Sequence, residues 1–166
     1  MPETPALQGP RVRLRRPDGA DLPALAAIRA EPGVCRWWGE PQPGDLEPPA
    51  DGDLLAIEVD GSVAGAIQYE EVTDPMYRSA GIDLFLGAQW EGRGLGREAV
   101  GLLARHLIDA CGHHRLTIDP AAANERAIRC YEAVGFERVG LMRQYERAAD
   151  GTWRDGLLME LLAAGR

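Results

Sequence analysis

The chain has 166 residues, 45% of them apolar and 27% charged. Those proportions fit one globular domain with a full core and exclude a disordered or fibrous chain. The net charge of −8 disfavours nucleic acid as a partner and weakly favours cations.

All 18 basic residues are Arg, and a phosphate loop of the Walker type needs a Lys, so that class is excluded. Cys35, Cys111 and Cys130 are odd in number and lack paired spacing, which supports neither a disulfide framework nor a zinc site. His106, His113 and His114 have no matching ligand set, so no metal is expected. No apolar run is long enough for a bilayer, and the first residues do not read as a signal peptide. A soluble cytoplasmic chain without membrane contact is expected, and monomer and homodimer both stay open.

Residues 11–16 alternate as a strand, and residues 18–30 form an Ala/Leu-rich helix with Leu22, Leu25, Ala26 and Ile28 inward. Residues 34–39 carry Trp37 and Trp38, and Pro41, Pro43, Pro48 and Pro49 make 40–52 a surface loop. Residues 54–59 and 63–69 form a hairpin around Asp60-Gly61, a favoured turn pair. An acidic loop is expected at 70–78, a strand at 81–86 and a long helix at 94–110. A strand at 115–118 precedes a helix at 124–134, closed by Gly135. A last hairpin, 136–147 and 153–162, turns at Asp150-Gly151. The order predicts an α+β fold: a mixed, mostly antiparallel sheet with helices on both faces.

Gly92-Arg93-Gly94-Leu95-Gly96 opens the long helix. Glycines at a helix N-terminus offer bare amides and the positive end of the dipole to an anion. By letters, Gly94 to Ala99 also fits the dinucleotide fingerprint G-x-G-x-x-A, but that fingerprint follows its strand directly. Here Gly87 to Arg93 intervene, and the chain ends in a hairpin instead of further βα units. Downstream, Asn124 and Tyr131 are seven residues apart and share a helix face. Taken alone they read as a helix cap and a core aromatic. Cys130 reads as a core thiol, since no His is placed to activate it.

The glycine loop together with Asn124-Glu125-Arg126-Ala127-Ile128-Arg129-Cys130-Tyr131 and Gly135-Phe136 resembles the GNAT superfamily of N-acetyltransferases. The resemblance implies acetyl-CoA as cosubstrate. It implies acyl-CoA contacts at Leu84, Phe85, Leu86, Gly92, Arg93, Gly94, Leu95, Gly96, Asn124, Ala127 and Tyr131. The family loop reads R/Q-x-x-G-x-G/A, and Glu91 stands here where Arg or Gln is usual. An acid beside a pyrophosphate is unfavourable, so Glu91 is expected to point away.

Trp37-Trp38-Gly39, Glu70-Glu71, Gly81-Ile82-Asp83 and Thr117-Ile118-Asp119-Pro120, with Arg126–Arg138, look like the aminoglycoside 6′-N-acetyltransferases, and the resemblance is good from about residue 69 to 140. The Pro-rich 40–52 stretch departs from the helical lid such a chain would carry. The resemblance implies a cationic small-molecule amine as partner, with Trp37, Trp38, Glu70, Glu71, Asp83 and Asp119 at the acceptor. By strand alternation Asp83 points away from Ile82, Leu84 and Leu86. A salt bridge for Asp83, an Asx turn for Asp119 and a solvated loop for Glu70 and Glu71 remain the plainer readings. The family implies direct transfer, with Asp83 taking the amine's proton and Tyr131 protonating the leaving thiolate. A protein N-terminus, a small metabolite amine, and a non-catalytic acyl-CoA sensor are the competing readings.

Overall fold

A computed structural model describes residues 3–164. Strands β1 (Leu7–Gln8) and β2 (Val12–Arg15) precede helices α1 (Leu22–Arg29) and α2 (Pro32–Trp38). Strands β3 (Gly52–Val59), β4 (Ser62–Val72) and β5 (Ser79–Leu86) follow. A short 3-10 turn, Ala88–Trp90, leads to α3 (Leu95–Asp109), β6 (Arg115–Ile118) and α4 (Glu125–Val134). The hairpin β7 (Glu137–Arg147) and β8 (Trp153–Leu162) completes the order. The eight strands form one sheet, ordered β1-β2-β3-β4-β5-β6-β8-β7. Among the described residues only β5 and β6 run parallel. The α+β architecture expected from the sequence is the one observed.

Strand alternation divides the apolar residues between the two faces. Leu55, Ile57, Ile67, Tyr69 and Ile82 pack with Leu95, Ala99, Leu103 and Leu107 of α3 and with Ile128 and Tyr131 of α4. Leu54, Ala66 and Phe85 pack with Leu25, Ile28 and Val34 of α1 and α2 on the other face. Between β3 and β4, Asp60 and Gly61 both take positive φ (50° and 76°), the hairpin geometry expected of that pair.

Three details differ from the sequence reading. The first helix begins at Leu22, not Asp18. Asp18 Oδ1 accepts from the Ala20 and Asp21 amides in a turn, and the Asp21 carboxylate accepts from both terminal nitrogens of Arg15 (2.7 and 3.0 Å) instead of capping the helix. Leu22 and Ala26 are exposed, beside an open groove lined by residues of the 41–47 loop. Residues 70–72 are strand, not loop: Glu70, Glu71 and Val72 pair with Gly81, Ala80 and Ser79. Glu71 is tolerated there because its carboxylate meets the fully buried His113 ring at 2.5 Å.

One irregularity in the sheet opens a cleft. Strands β5 and β6 pair only at Ala80–Leu116 and Gly81–Thr117. Beyond that point they diverge, because β6 gives way to the Asp119–Asn124 segment, which is strapped to β8 through Leu157 N–H to the Pro120 carbonyl (2.9 Å). The gap opens a cleft of about 910 Å³ between β5, the β6 exit, α2 and the N-termini of α3 and α4.

Candidate active site

The glycine loop forms one end of the cleft. Gly92 and Gly94 both hold φ of +74°, a left-handed conformation that disfavours any side chain. A Cβ at Gly92 would also lie 3.3 Å from Arg126 Nη2, and one at Gly94 3.3 Å from Arg11 Nη2. Arg11 pins the loop: it donates to the Arg93 carbonyl at 2.6 Å and to Glu98 at 3.1 Å. Gly96 lets α3 approach β5 and α4, since a Cβ there would sit 3.4 Å from Leu86 Cδ1 and 3.8 Å from Cys130 Sγ. Arg97, Arg126 and Arg129 line the same end. Naked amides, a helix dipole and guanidinium groups fit a pyrophosphate.

Glu91, the departure from the family loop, pairs with Arg126 at 3.0 Å, so its charge is compensated. Arg93 stacks on Trp90, 5.2 Å from the ring centre, and is not among the residues lining the cleft. Asn124 caps α4 by accepting from the Ala127 amide at 3.2 Å, and it also lines the cleft. The cap uses the carbonyl oxygen alone. Among the described residues its amide NH₂ has no partner.

Tyr131 is buried on the cleft wall, edge-on to Phe136 at 6.4 Å. Burial, then the charge of Asp83, holds its phenol well above the usual value, so it stays protonated. Beside it, burial pushes the Cys130 thiol up as well. Leu84 turns its backbone into the cleft. Its carbonyl accepts from Trp38 Nε1 at 3.2 Å, and its amide donates to Asp83 Oδ1 at 2.9 Å.

Asp83 is open to the cleft but enclosed by protein at its floor. That enclosure, and then the charge of Asp119, pushes its carboxyl up to about 7. Asp119 and Glu146 complete an acidic end opposite the arginines, and both line the cleft. Asp119 makes no Asx turn; its Oδ2 accepts from the Tyr145 hydroxyl at 2.8 Å. Glu70 and Glu71 are not on this surface: Glu70 is exposed on β4, and Glu71 is committed to His113.

Trp37 and Trp38 both line the cleft, but their faces are partly taken. Trp38 meets Phe85 edge-on at 5.2 Å, and the Arg29 guanidinium lies 5.5 Å from its ring centre. Trp37 is flanked by Arg36 at 4.7 Å and Arg154 at 5.5 Å.

Glu146, Tyr145, Arg29 and Arg154 are absent from the sequence-based site. Arg29 is 3% exposed and gathers the carbonyls of Trp38, Gly39 and Glu40 with the Asp45 carboxylate. Arg154 binds Glu146 at 2.8 Å, the Arg36 carbonyl at 2.8 Å and the Trp37 carbonyl. Among so many Arg and Glu residues, nothing in the sequence singles these out.

Residues 11–137 match the family described as the GNAT acetyltransferase domain. An aminoglycoside N(6′)-acetyltransferase type 1 from Klebsiella pneumoniae is 33% identical, over 78% of this chain and 75% of that protein. A ribosomal protein uS5-alanine N-acetyltransferase from Escherichia coli is 26% identical, over 60% of this chain and 50% of its own length. The solved structure of Mycobacterium smegmatis RimJ in complex with CoA-disulfide superposes with a TM-score of 0.81 at 25% identity, over 96% of this chain and 86% of that one. The chain belongs to the GNAT acetyltransferase family, and as such is an acetyl-CoA-dependent acyltransferase. Among the described residues no helix is long and apolar enough to cross a membrane, and no group of His, Cys, Asp and Glu is arranged to hold a metal ion.

Proposed function

We propose that the enzyme acetylates a primary amine of a cationic small molecule, with the 6′-amine of an aminoglycoside as acceptor. The observation that carries this reading is the polarity of the cleft. Arg97, Arg126, Arg129 and bare amides gather at one end, where Glu91 and Glu125 are paired with Arg126 and Arg129, while Asp83, Asp119 and Glu146 gather at the other, beside Arg36. An acceptor with several ammonium groups matches that acidic end. The 33% identity to an aminoglycoside acetyltransferase supports the same choice, and antibiotic resistance would be its consequence.

The acetyl-CoA pyrophosphate would rest on residues 92–96 with Arg97 and Arg126, and the pantetheine arm would pass the Asn124 amide. An alkyl ammonium has a pKa near ~10.4, so freeing its lone pair at pH 7 costs about 4.6 kcal/mol. Asp83, raised to about 7, is better matched to that task than an ordinary carboxylate. Its negative charge also draws the ammonium in before accepting the proton. Leu86 faces the cleft as Leu84 does, by strand alternation, and its amide is the donor for the developing oxyanion. One such donor contributes about 2.7–4 kcal/mol. Tyr131, held protonated, supplies the proton that the departing thiolate needs.

A second reading, acetylation of a protein N-terminus, draws on the uS5-alanine relative. Thiol release from acetyl-CoA separates the two. It should be fastest with kanamycin-like drugs and slow with Ala-terminated peptides or polyamines. Turnover confined to the peptides or polyamines would overturn the aminoglycoside assignment.

A further inference from the structure

The bulge in β7 points to a residue that the acetyl-transfer reading does not use. Strand β7 loses register with β8 between Met142 and Glu146. At its centre Gln144 takes φ of +50°, and its amide donates to Asp155 Oδ1 at 2.8 Å. Such a bulge re-aims the side chains that follow it. Tyr145 is aimed across β8 onto Gly156, where a Cβ would stand 2.8 Å from its ring. The missing side chain is the slot in which the ring lies. From there the hydroxyl donates to Asp119 Oδ2 at 2.8 Å.

Asp119 needs such a partner. The chain after it is strapped to β8, with the Ala122 amide donating to the Asp155 carbonyl and the Leu157 amide to the Pro120 carbonyl, both at 2.9 Å. Asp155 therefore fixes both backbones, the bulge through its side chain and the β6 exit through its carbonyl. The Asp119 side chain is left to rotate unless something holds it. Tyr145 is 49% exposed and contributes little to the core, so its hydroxyl stays at the edge of the cleft, on Asp119.

We infer that Tyr145 is a positioning residue: it holds the Asp119 carboxylate in the orientation that meets the acceptor amine, and so sets acceptor affinity. The inference rests on reading Asp119 as an acceptor contact. The bond leaves a mark on Tyr145 itself, since hydrogen bonding to Asp119 and then that residue's charge push its phenol up to about 12.

The test is a double-mutant cycle of Tyr145→Phe and Asp119→Asn. It is run with whichever amine the wild type acetylates fastest, so failure of the aminoglycoside reading changes the acceptor but not the cycle. Tyr145→Phe should raise acceptor KM about tenfold, leaving kcat within about twofold and acetyl-CoA KM unchanged. In the Asp119→Asn background the same change should add nothing. A phenol titration followed by ultraviolet absorbance should move Tyr145 from about 12 in the wild type toward its ordinary value of ~10 in Asp119→Asn. Wild-type acceptor KM in Tyr145→Phe, or a full effect persisting without Asp119, would overturn the assignment. A phenol titration indifferent to Asp119→Asn would do the same.

Discussion

The two ends of the cleft are built by opposite rules. The end we assign to the acetyl-CoA phosphates is made mainly of backbone: Gly92 to Gly96, the first turn of α3 and the cap of α4, steadied by Arg11 and Arg126. The end we assign to the acceptor is made of side chains brought from β5, the β6 exit, β7 and α2, and guanidinium groups tie it together. Backbone amides are the same in every residue. The first end therefore tolerates many substitutions but not an added Cβ at its left-handed positions. The second end depends on which side chains arrive, so a few changes there would alter the acceptor while the acetyl donor stayed the same.

The sharpest way to test that division is at Asp83. Asp83→Asn should lower kcat by about 10²–10⁴-fold, the range for loss of a general base, with acetyl-CoA binding unchanged. In the wild type kcat/KM should rise with pH through about 7 as Asp83 ionises, and that limb should vanish in the variant. Tyr131→Phe comes next, with kcat down about 10²-fold and little change in acetyl-CoA KM; an unchanged kcat would remove Tyr131 from the role of acid. Gly94→Ala probes the other end. Forcing a side chain into φ of +74° costs about 1–2 kcal/mol and should raise acetyl-CoA KM about tenfold. If acceptor KM rose equally, the two ends would not be independent.

Smaller effects concern the scaffold. Arg29→Met strands the Asp45 carboxylate and three carbonyls, and should lower Tm by roughly 5–10 °C in a thermal melt. It should raise acceptor KM more than acetyl-CoA KM. The last expected effect is one of sign. Asp83 holds its proton more tightly folded than unfolded, so the wild type loses stability as pH rises from about 4 to about 7. Asp83→Asn has no such loss. Its Tm should match the wild type near pH 4 and exceed it above pH 7. A constant difference across that range would show that Asp83 ionises freely.

Much of the fold could be read from local rules. The Asp60-Gly61 hairpin, the apolar stripe of α3 and the Gly135 exit of α4 each follow from a few neighbouring residues. One misreading arose where a distant partner reversed a local preference. Glu71 reads as loop until His113 supplies a buried partner across the sheet. Asp18 reads as a helix start, but its carboxylate closes a turn over the Ala20 and Asp21 amides, and the helix begins beyond it. In the site, Asp83 could be singled out because a carboxylate is out of place inside an apolar strand. Glu146 could not, because an acid beside an Arg on an edge hairpin resembles any solvated pair.

The order of residues alone was enough to reveal the glycine cradle, its helix and the acyl donor it implies, since contiguous backbone groups carry their geometry with them. Where β5 and β6 part, how the bulge aims Tyr145 and Glu146, and which arginines close the acceptor end were decided only in three dimensions. Those features depend on side chains far apart in the chain, and their meeting is set by sheet register and packing, which no short stretch encodes.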